Sequence, residues 1–232
     1  MKKLILIPGL DGTGLVFEPL LTKLPDNIDA RIIRYPDDEP LSFDEHVAFV
    51  KKRLPKNEPF TLLAESFSGP VALQLLADPP PNLQGVILVA TFARYPRPFL
   101  IDLARVLPQK LLRAAFSTTL ACRLSCLGGA SKGAVATLQK ALKQVSLKVL
   151  TRRLQILAEL PPPPASAFNG PCLYLQAQSD RLVAERAAKQ LQQHLPQLEI
   201  KPIAGPHIAL LADPDLGAKM IAEFMREPES TT

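Results

Sequence analysis

The chain is poor in the residues that build disulfide scaffolds, metal centres and membrane spans. Its 232 residues include three cysteines and three histidines. Cys122, Cys126 and Cys172 are an odd number without metal-ligand spacing, which points to small apolar packing residues in a reducing compartment. No apolar run approaches the roughly 18–20 residues of a membrane span. The opening Met1-Lys2-Lys3 and Leu4-Ile5-Leu6-Ile7 resembles a signal peptide at first sight. Its apolar stretch stops at Pro8-Gly9, short of the roughly 7–15 residues of a signal core. A cytoplasmic location is therefore expected. With 47% hydrophobic and 21% charged residues, the composition is that of a soluble globular protein. The length suffices for one large core, with or without a small lobe.

What is present is an alternation of short apolar runs with helical patterns. Strands are expected at Leu4–Ile7, Ala30–Arg34, Phe60–Ala64, Gly85–Ala90, Cys172–Gln176 and Glu199–Ile203. Several are continuously apolar, as parallel strands buried on both faces should be. Helices are expected at Val16–Leu24, Phe43–Leu54, Ser68–Ala77, Ala184–His194 and Leu216–Arg226. Asp213-Pro214 is a start signal for the last, a capping acid followed by proline at the first helical position. The alternation predicts an α/β fold, a mostly parallel sheet of about six strands with helices on both sides.

One stretch breaks this rhythm. Residues 92–164 carry no convincing strand but four amphipathic helical patterns, Phe99–Phe116, Ser117–Leu127, Lys132–Gln144 and Leu147–Leu160. Pro96 and Pro98 open the stretch and Pro161–Pro164 closes it, a run that cannot be helix interior. A helical lid over 92–164, inserted into a core of 1–91 and 165–232, is the expected organisation. No internal repeat is evident.

Ala64-Glu65-Ser66-Phe67-Ser68-Gly69 lies between a strand and a helix, the setting of a nucleophile elbow, G-x-S-x-G. There a serine sits in a strained strand-to-helix turn, projecting above the sheet, with small residues two before and two after it. Glycine is absent at both flanks, where Ala64 and Ser68 stand instead. Ser66 is the expected nucleophile. A plain helix-capping serine is the structural alternative, and Ser68 falls inside the first helical turn.

A serine nucleophile needs a base, and a third group to orient the base. His46 lies within an early helix and His194 ends a late one, so both read as surface helix residues. His207, in Gly205-Pro206-His207, follows the last strand, where parallel sheets place their sites. Asp180, in Ser179-Asp180-Arg181-Leu182-Val183, follows the preceding strand and is the expected acid, with a helix cap as its structural alternative. The chain order Ser, Asp, His is that of the α/β-hydrolase arrangement. Two backbone N–H groups should stabilise a developing oxyanion. Phe67, the residue after the nucleophile, and Leu10, in Pro8-Gly9-Leu10-Asp11-Gly12-Thr13-Gly14, are the expected donors. That glycine-rich loop could instead cradle a dinucleotide. Its G-x-x-G-x-G spacing and the lack of an acid ending the second strand argue against it. Asp11 reads as a turn residue.

These motifs, in this order, resemble the α/β-hydrolases over nearly the whole chain, and are closest to small bacterial carboxylesterases similar to pimeloyl-acyl carrier protein methyl ester esterase. The resemblance implies a serine carboxylesterase without metal or cofactor. The chain starts at what is normally the third strand. The implied sheet order is 4-3-5-6-7-8 in the family's numbering, reversing around this chain's first strand. The usual His-Gly of the oxyanion loop is Pro8-Gly9 here.

Charge is unevenly spread. Between Phe92 and Leu160 there are twelve basic residues against two acids, Asp102 and Glu159, a formal +10 in a protein of net +5. Such a segment over a site steers anionic partners toward it. In the resembled esterases the partner is the acidic acyl carrier protein, so Arg113, Arg123, Lys140, Lys143, Arg152 and Arg153 are the expected contacts. A methyl ester of pimeloyl-acyl carrier protein, a biotin precursor, is the specific substrate this suggests. A short-chain esterase, a thioesterase or an acyltransferase would use the same triad. A non-catalytic nucleic-acid binder would need aromatic or reader motifs that this aromatic-poor segment lacks.

Overall fold

The computed structural model describes residues 1–94 and 129–226. Six strands form one sheet: β1 (Lys2–Ile7), β2 (Ile28–Ile32), β3 (Phe60–Glu65), β4 (Leu83–Val89), β5 (Cys172–Ala177) and β6 (Leu198–Ile203). Every pairing is parallel and the order is β2-β1-β3-β4-β5-β6, the expected reversal around the first strand. All five crossovers contain helix, in chain order α1 (Glu18–Leu21), α2 (Phe43–Lys51), α3 (Ser68–Leu75), α4 (Lys132–Gln144) with α5 (Leu147–Glu159), and α6 (Arg186–His194). After β6 come the short α7 (Ala209–Ala212) and the closing α8 (Pro214–Phe224).

The period of two along each strand sorts its side chains between two cores. On one face, Leu4, Leu6, Leu63, Ile87, Val89, Leu173 and Leu175 pack with Phe17, Leu20 and the α7 and α8 residues Leu210 and Ile221. On the other, Ile5, Ile7, Leu62, Ala64, Val86, Leu88 and Tyr174 pack against Val50 of α2, Val71 of α3 and Leu191 of α6. Covering both faces explains the unbroken apolar runs of β1, β3 and β4.

Helix starts follow local chemistry. Ser42 and Glu45 form a reciprocal capping box at α2. Ser131 and Ser146 accept from Ala134 and Val149 N–H to open α4 and α5. Asp213 accepts from Leu216 N–H at 3.0 Å with Pro214 next, as the sequence predicts. The expected helix over 16–24 is instead a single 3-10 turn (Leu15–Phe17) followed by the four-residue α1. Strand β2 lies two residues earlier than expected, at Ile28–Ile32. Ile33 N–H still bonds to Leu6 carbonyl at 2.9 Å, and Pro36 stops the chain soon after.

Of the four helical patterns in 92–164, Lys132–Gln144 and Leu147–Leu160 are found as α4 and α5, while Phe99–Phe116 and Ser117–Leu127 lie outside the described residues. α4 and α5 share their apolar faces with the sheet: Ala134, Val135, Leu138, Leu142, Val149 and Leu150 join the first core, Ile156 and Leu157 the second.

Candidate active site

The loops at the carboxyl ends of β1, β3, β5 and β6 converge. They bring together three side chains that are 141 and 27 residues apart in sequence. Ser66 follows β3 with φ of 50°, a left-handed conformation for a residue with a Cβ. The turn is held from several sides. Ser66 N–H donates to Val89 carbonyl at 2.9 Å, and its own carbonyl accepts from Gly69 N–H at 3.0 Å and Thr91 Oγ1 at 2.5 Å. A Cβ on Gly69 would lie 1.9 Å from that Thr91 oxygen, so only glycine lets the helix come so close.

His207 Nε2 lies 2.7 Å from Ser66 Oγ, and His207 Nδ1 lies 2.8 Å from Asp180 Oδ2. The other carboxylate oxygen of Asp180 accepts from Leu182 and Val183 N–H, both at 2.8 Å. Asp180 is thus fixed by its own loop and does not cap α6, which starts only at Arg186. Burial opposes the imidazolium of His207. The charge of Asp180, its hydrogen bond and the nearby Glu65 outweigh this, leaving the pKa above the ordinary 6.5.

The loop after β1 lies against Ser66: a Cβ built on Gly9 would be 3.5 Å from Ser66 Cβ. Each carbonyl from Pro8 to Thr13 has a donor. Ser68 Oγ serves Pro8 at 2.5 Å, Gly12 N–H serves Gly9, and Arg153 Nη1 serves Leu10 at 3.0 Å and Asp11 at 2.8 Å. Tyr35 N–H serves Gly12 and Arg34 Nε serves Thr13. The N–H groups of Leu10 and Phe67 take no acceptor from the described residues. Asp11 is the expected turn residue, accepting from Thr13 N–H at 2.9 Å and Thr13 Oγ1 at 2.6 Å.

Two expectations are corrected. His46 is not a surface residue but is 1% exposed. It bonds Ser42 carbonyl through Nδ1 at 2.7 Å and makes edge contacts with Tyr35 and Phe67. Burial pushes its pKa down to about 4, so the ring is neutral. Its spacing from Phe43, Val47 and Val50 puts it on the apolar stripe of α2. Arg153 is not a docking residue for a large partner. It too is 1% exposed, with its guanidinium turned inward to backbone carbonyls. Lys140 and Lys143 are exposed on α4, Arg152 pairs with Glu159 at 3.2 Å, and Arg113 and Arg123 lie outside the described residues.

Sequence reading passes over Glu65. It is 4% exposed beside Ser66, and burial pushes its carboxyl up to about 8, with His207 opposing and Asp11 reinforcing. A charged residue ending the apolar Phe60-Thr61-Leu62-Leu63-Ala64 is the signal that marks it. Among the described residues, no group of three or more His, Cys, Asp or Glu side chains could hold a metal ion.

The sequence profile of the serine aminopeptidase S33 family matches residues 41–209. No curated protein matches the sequence. Solved structures share the fold. MenH from S. aureus superposes with a TM-score of 0.80 at 18% identity, over 97% of this chain and 93% of that one. The enol-lactonase from Burkholderia xenovorans LB400 gives 0.78 at 15%, over 97% and 92%. A thermophilic esterase from Thermogutta terrifontis gives 0.74 at 16%, over 97% and 90%. The profile match spans most of the chain and takes in both the elbow and His207, so the chain belongs to the serine aminopeptidase S33 family of α/β-hydrolases and is a serine hydrolase.

Proposed function

We propose that the protein is a carboxylesterase working through Ser66, His207 and Asp180, and that its substrate is an ester on an acidic carrier. The observation that carries the first part is the continuous hydrogen-bond chain from Ser66 Oγ through both ring nitrogens of His207 to Asp180. His207 Nε2 takes the Ser66 proton as Oγ attacks the ester carbonyl. The Leu10 and Phe67 N–H groups receive the oxyanion. As the tetrahedral adduct collapses, His207 returns the proton to the leaving alcohol. Water, deprotonated by His207, then attacks the acyl-enzyme, releasing the acid and restoring Ser66. Asp180 keeps the imidazole in the tautomer with hydrogen on Nδ1 and stabilises its protonated form, in keeping with the raised pKa.

The carrier hypothesis rests on charge. Lys132, Lys140, Lys143 and Lys148 are exposed on α4 and α5 within the +10 segment. This supports docking of a strongly acidic partner, of which methyl pimeloyl-acyl carrier protein is the specific candidate. A second reading is favoured by the internal engagement of Arg153 and the pairing of Arg152 with Glu159, which leave fewer free cations. In it the enzyme is a general short-chain esterase or thioesterase, in line with the esterase and lactonase whose fold it shares. Hydrolysis of methyl pimeloyl-acyl carrier protein and of p-nitrophenyl butyrate, compared side by side, separates the two. A higher kcat/KM for the carrier ester supports docking. Turnover of the small ester alone leaves the triad in place and removes the carrier.

A further inference from the structure

Among the described residues, Arg153 is the largest side chain with almost no exposure, and its charge meets no carboxylate there in an ion pair. Buried guanidinium groups ordinarily pair with acids. Here the fork is filled by main chain: Nη1 donates to Leu10 and Asp11 carbonyls, and Nη2 to Pro36 carbonyl at 2.8 Å. The Nε is buried with no acceptor among the described residues. The guanidinium sits where a side chain on residue 12 would go; a Cβ on Gly12 would come within 2.5 Å of Nη1. Burial lowers the pKa only to about 10, so the cation persists at neutral pH.

The three peptide units involved belong to one turn. Gly12 N–H bonds Gly9 carbonyl at 3.1 Å, which orients the unit carrying the Leu10 N–H. The next two units carry the Leu10 and Asp11 carbonyls, and Arg153 grips both. The Leu10 N–H can keep its direction only while the turn holds its shape. We propose that Arg153 is the positioning residue of the oxyanion site: from the helix inserted between β4 and β5, it clamps the turn that aims the Leu10 N–H beside Ser66. This inference rests on the acyl-transfer reading above. It also ties the inserted helix to the chemistry, because movement of α5 would release the turn.

Arg153→Met and Arg153→Lys, with p-nitrophenyl butyrate as substrate, test it. Loss of an aimed oxyanion donor costs about 10²-fold in rate, so Arg153→Met should lower kcat by about 10²-fold with KM within about threefold. Lysine keeps the charge without the fork and should fall between. Inhibition by a trifluoromethyl ketone, which adds to serine as an oxyanion, should weaken in step with kcat/KM, while a methyl ketone of the same chain should not change. A lower Tm with wild-type kcat and wild-type ketone discrimination would make Arg153 merely structural and overturn the proposal. Should the methionine variant fail to fold, wild-type kcat in Arg153→Lys overturns it equally. Ser66→Ala runs alongside: an active Ser66→Ala enzyme would sink the triad reading and this inference together. An inactive one with an unaffected Arg153→Met removes the inference alone.

Discussion

Glu65 and Ser66 are neighbours with opposite demands. Ser66 needs access to solvent and substrate, while Glu65 is turned into the protein behind it. Holding the carboxyl near 8 instead of 4.5 means that folding takes up a proton between those pH values. The associated stability is fully present below pH 4.5 and is lost as pH rises through about 8, at about 1.4 kcal/mol per unit. Glu65→Gln copies the protonated acid and does not titrate. Its Tm should therefore gain on the wild type progressively between pH 5 and 8. Thermal unfolding across that range checks this, and parallel curves would contradict it. His46 and Arg153 show why some residues resist reading. Each is polar, yet each sits on the apolar stripe of its helix: His46 among Phe43, Val47 and Val50, Arg153 among Val149, Leu150, Ile156 and Leu157. Hydropathy assigns such residues to the surface, whereas helical phase assigns them inside. Only the fold brings the Leu10, Asp11 and Pro36 carbonyls to Arg153 and the Tyr35 and Phe67 rings to His46.

At the scale of elements, the strands were legible because burial on both faces leaves apolar runs. The hydrogen-bonded grouping of Ser66, His207 and Asp180 was legible because each stands in the loop just past a recognisable strand. The elbow departs from its pattern by having Ala64 and Ser68 where glycines are usual, and both are fully buried. Ser68 does more than fit: its hydroxyl links Tyr35 Oη at 2.7 Å to Pro8 carbonyl, joining the elbow to the loop after β1. That bond depends on Tyr35, 33 residues away, which no local motif reveals. The glycine the elbow cannot lose is Gly69. Gly69→Ala would drive a methyl into Thr91, whose hydroxyl holds the Ser66 carbonyl. We expect about 1–3 kcal/mol of destabilisation in urea unfolding, together with a lower kcat. Combining it with Thr91→Ala should recover part of the stability. A Gly69→Ala protein as stable as wild type would refute the packing described for the elbow.

Across the whole molecule, the order β2-β1-β3-β4-β5-β6 reverses at β1, and the crevice beside the reversal holds both the Leu10 loop and Ser66. Open parallel sheets place their sites at such points. Onto this frame the chain adds a strongly basic segment. If the segment docks an acidic carrier, Lys132, Lys140, Lys143 and Lys148 changed together to glutamate should raise KM for the carrier ester well above wild type. KM for p-nitrophenyl butyrate should barely change. Equal effects on both substrates would contradict docking. Substrate identity was the least legible property, because charge can name the sign of a partner but not its chain.

The proposed chemistry makes Ser66 the nucleophile. It is tested most directly by kcat for p-nitrophenyl butyrate in the wild type and in Ser66→Ala at matched Tm. A loss of at least about 10³-fold is expected. A loss of less than about tenfold would mean that the bond-making atom lies elsewhere, and that the hydrogen-bonded chain from Ser66 to Asp180 is not the catalytic machinery.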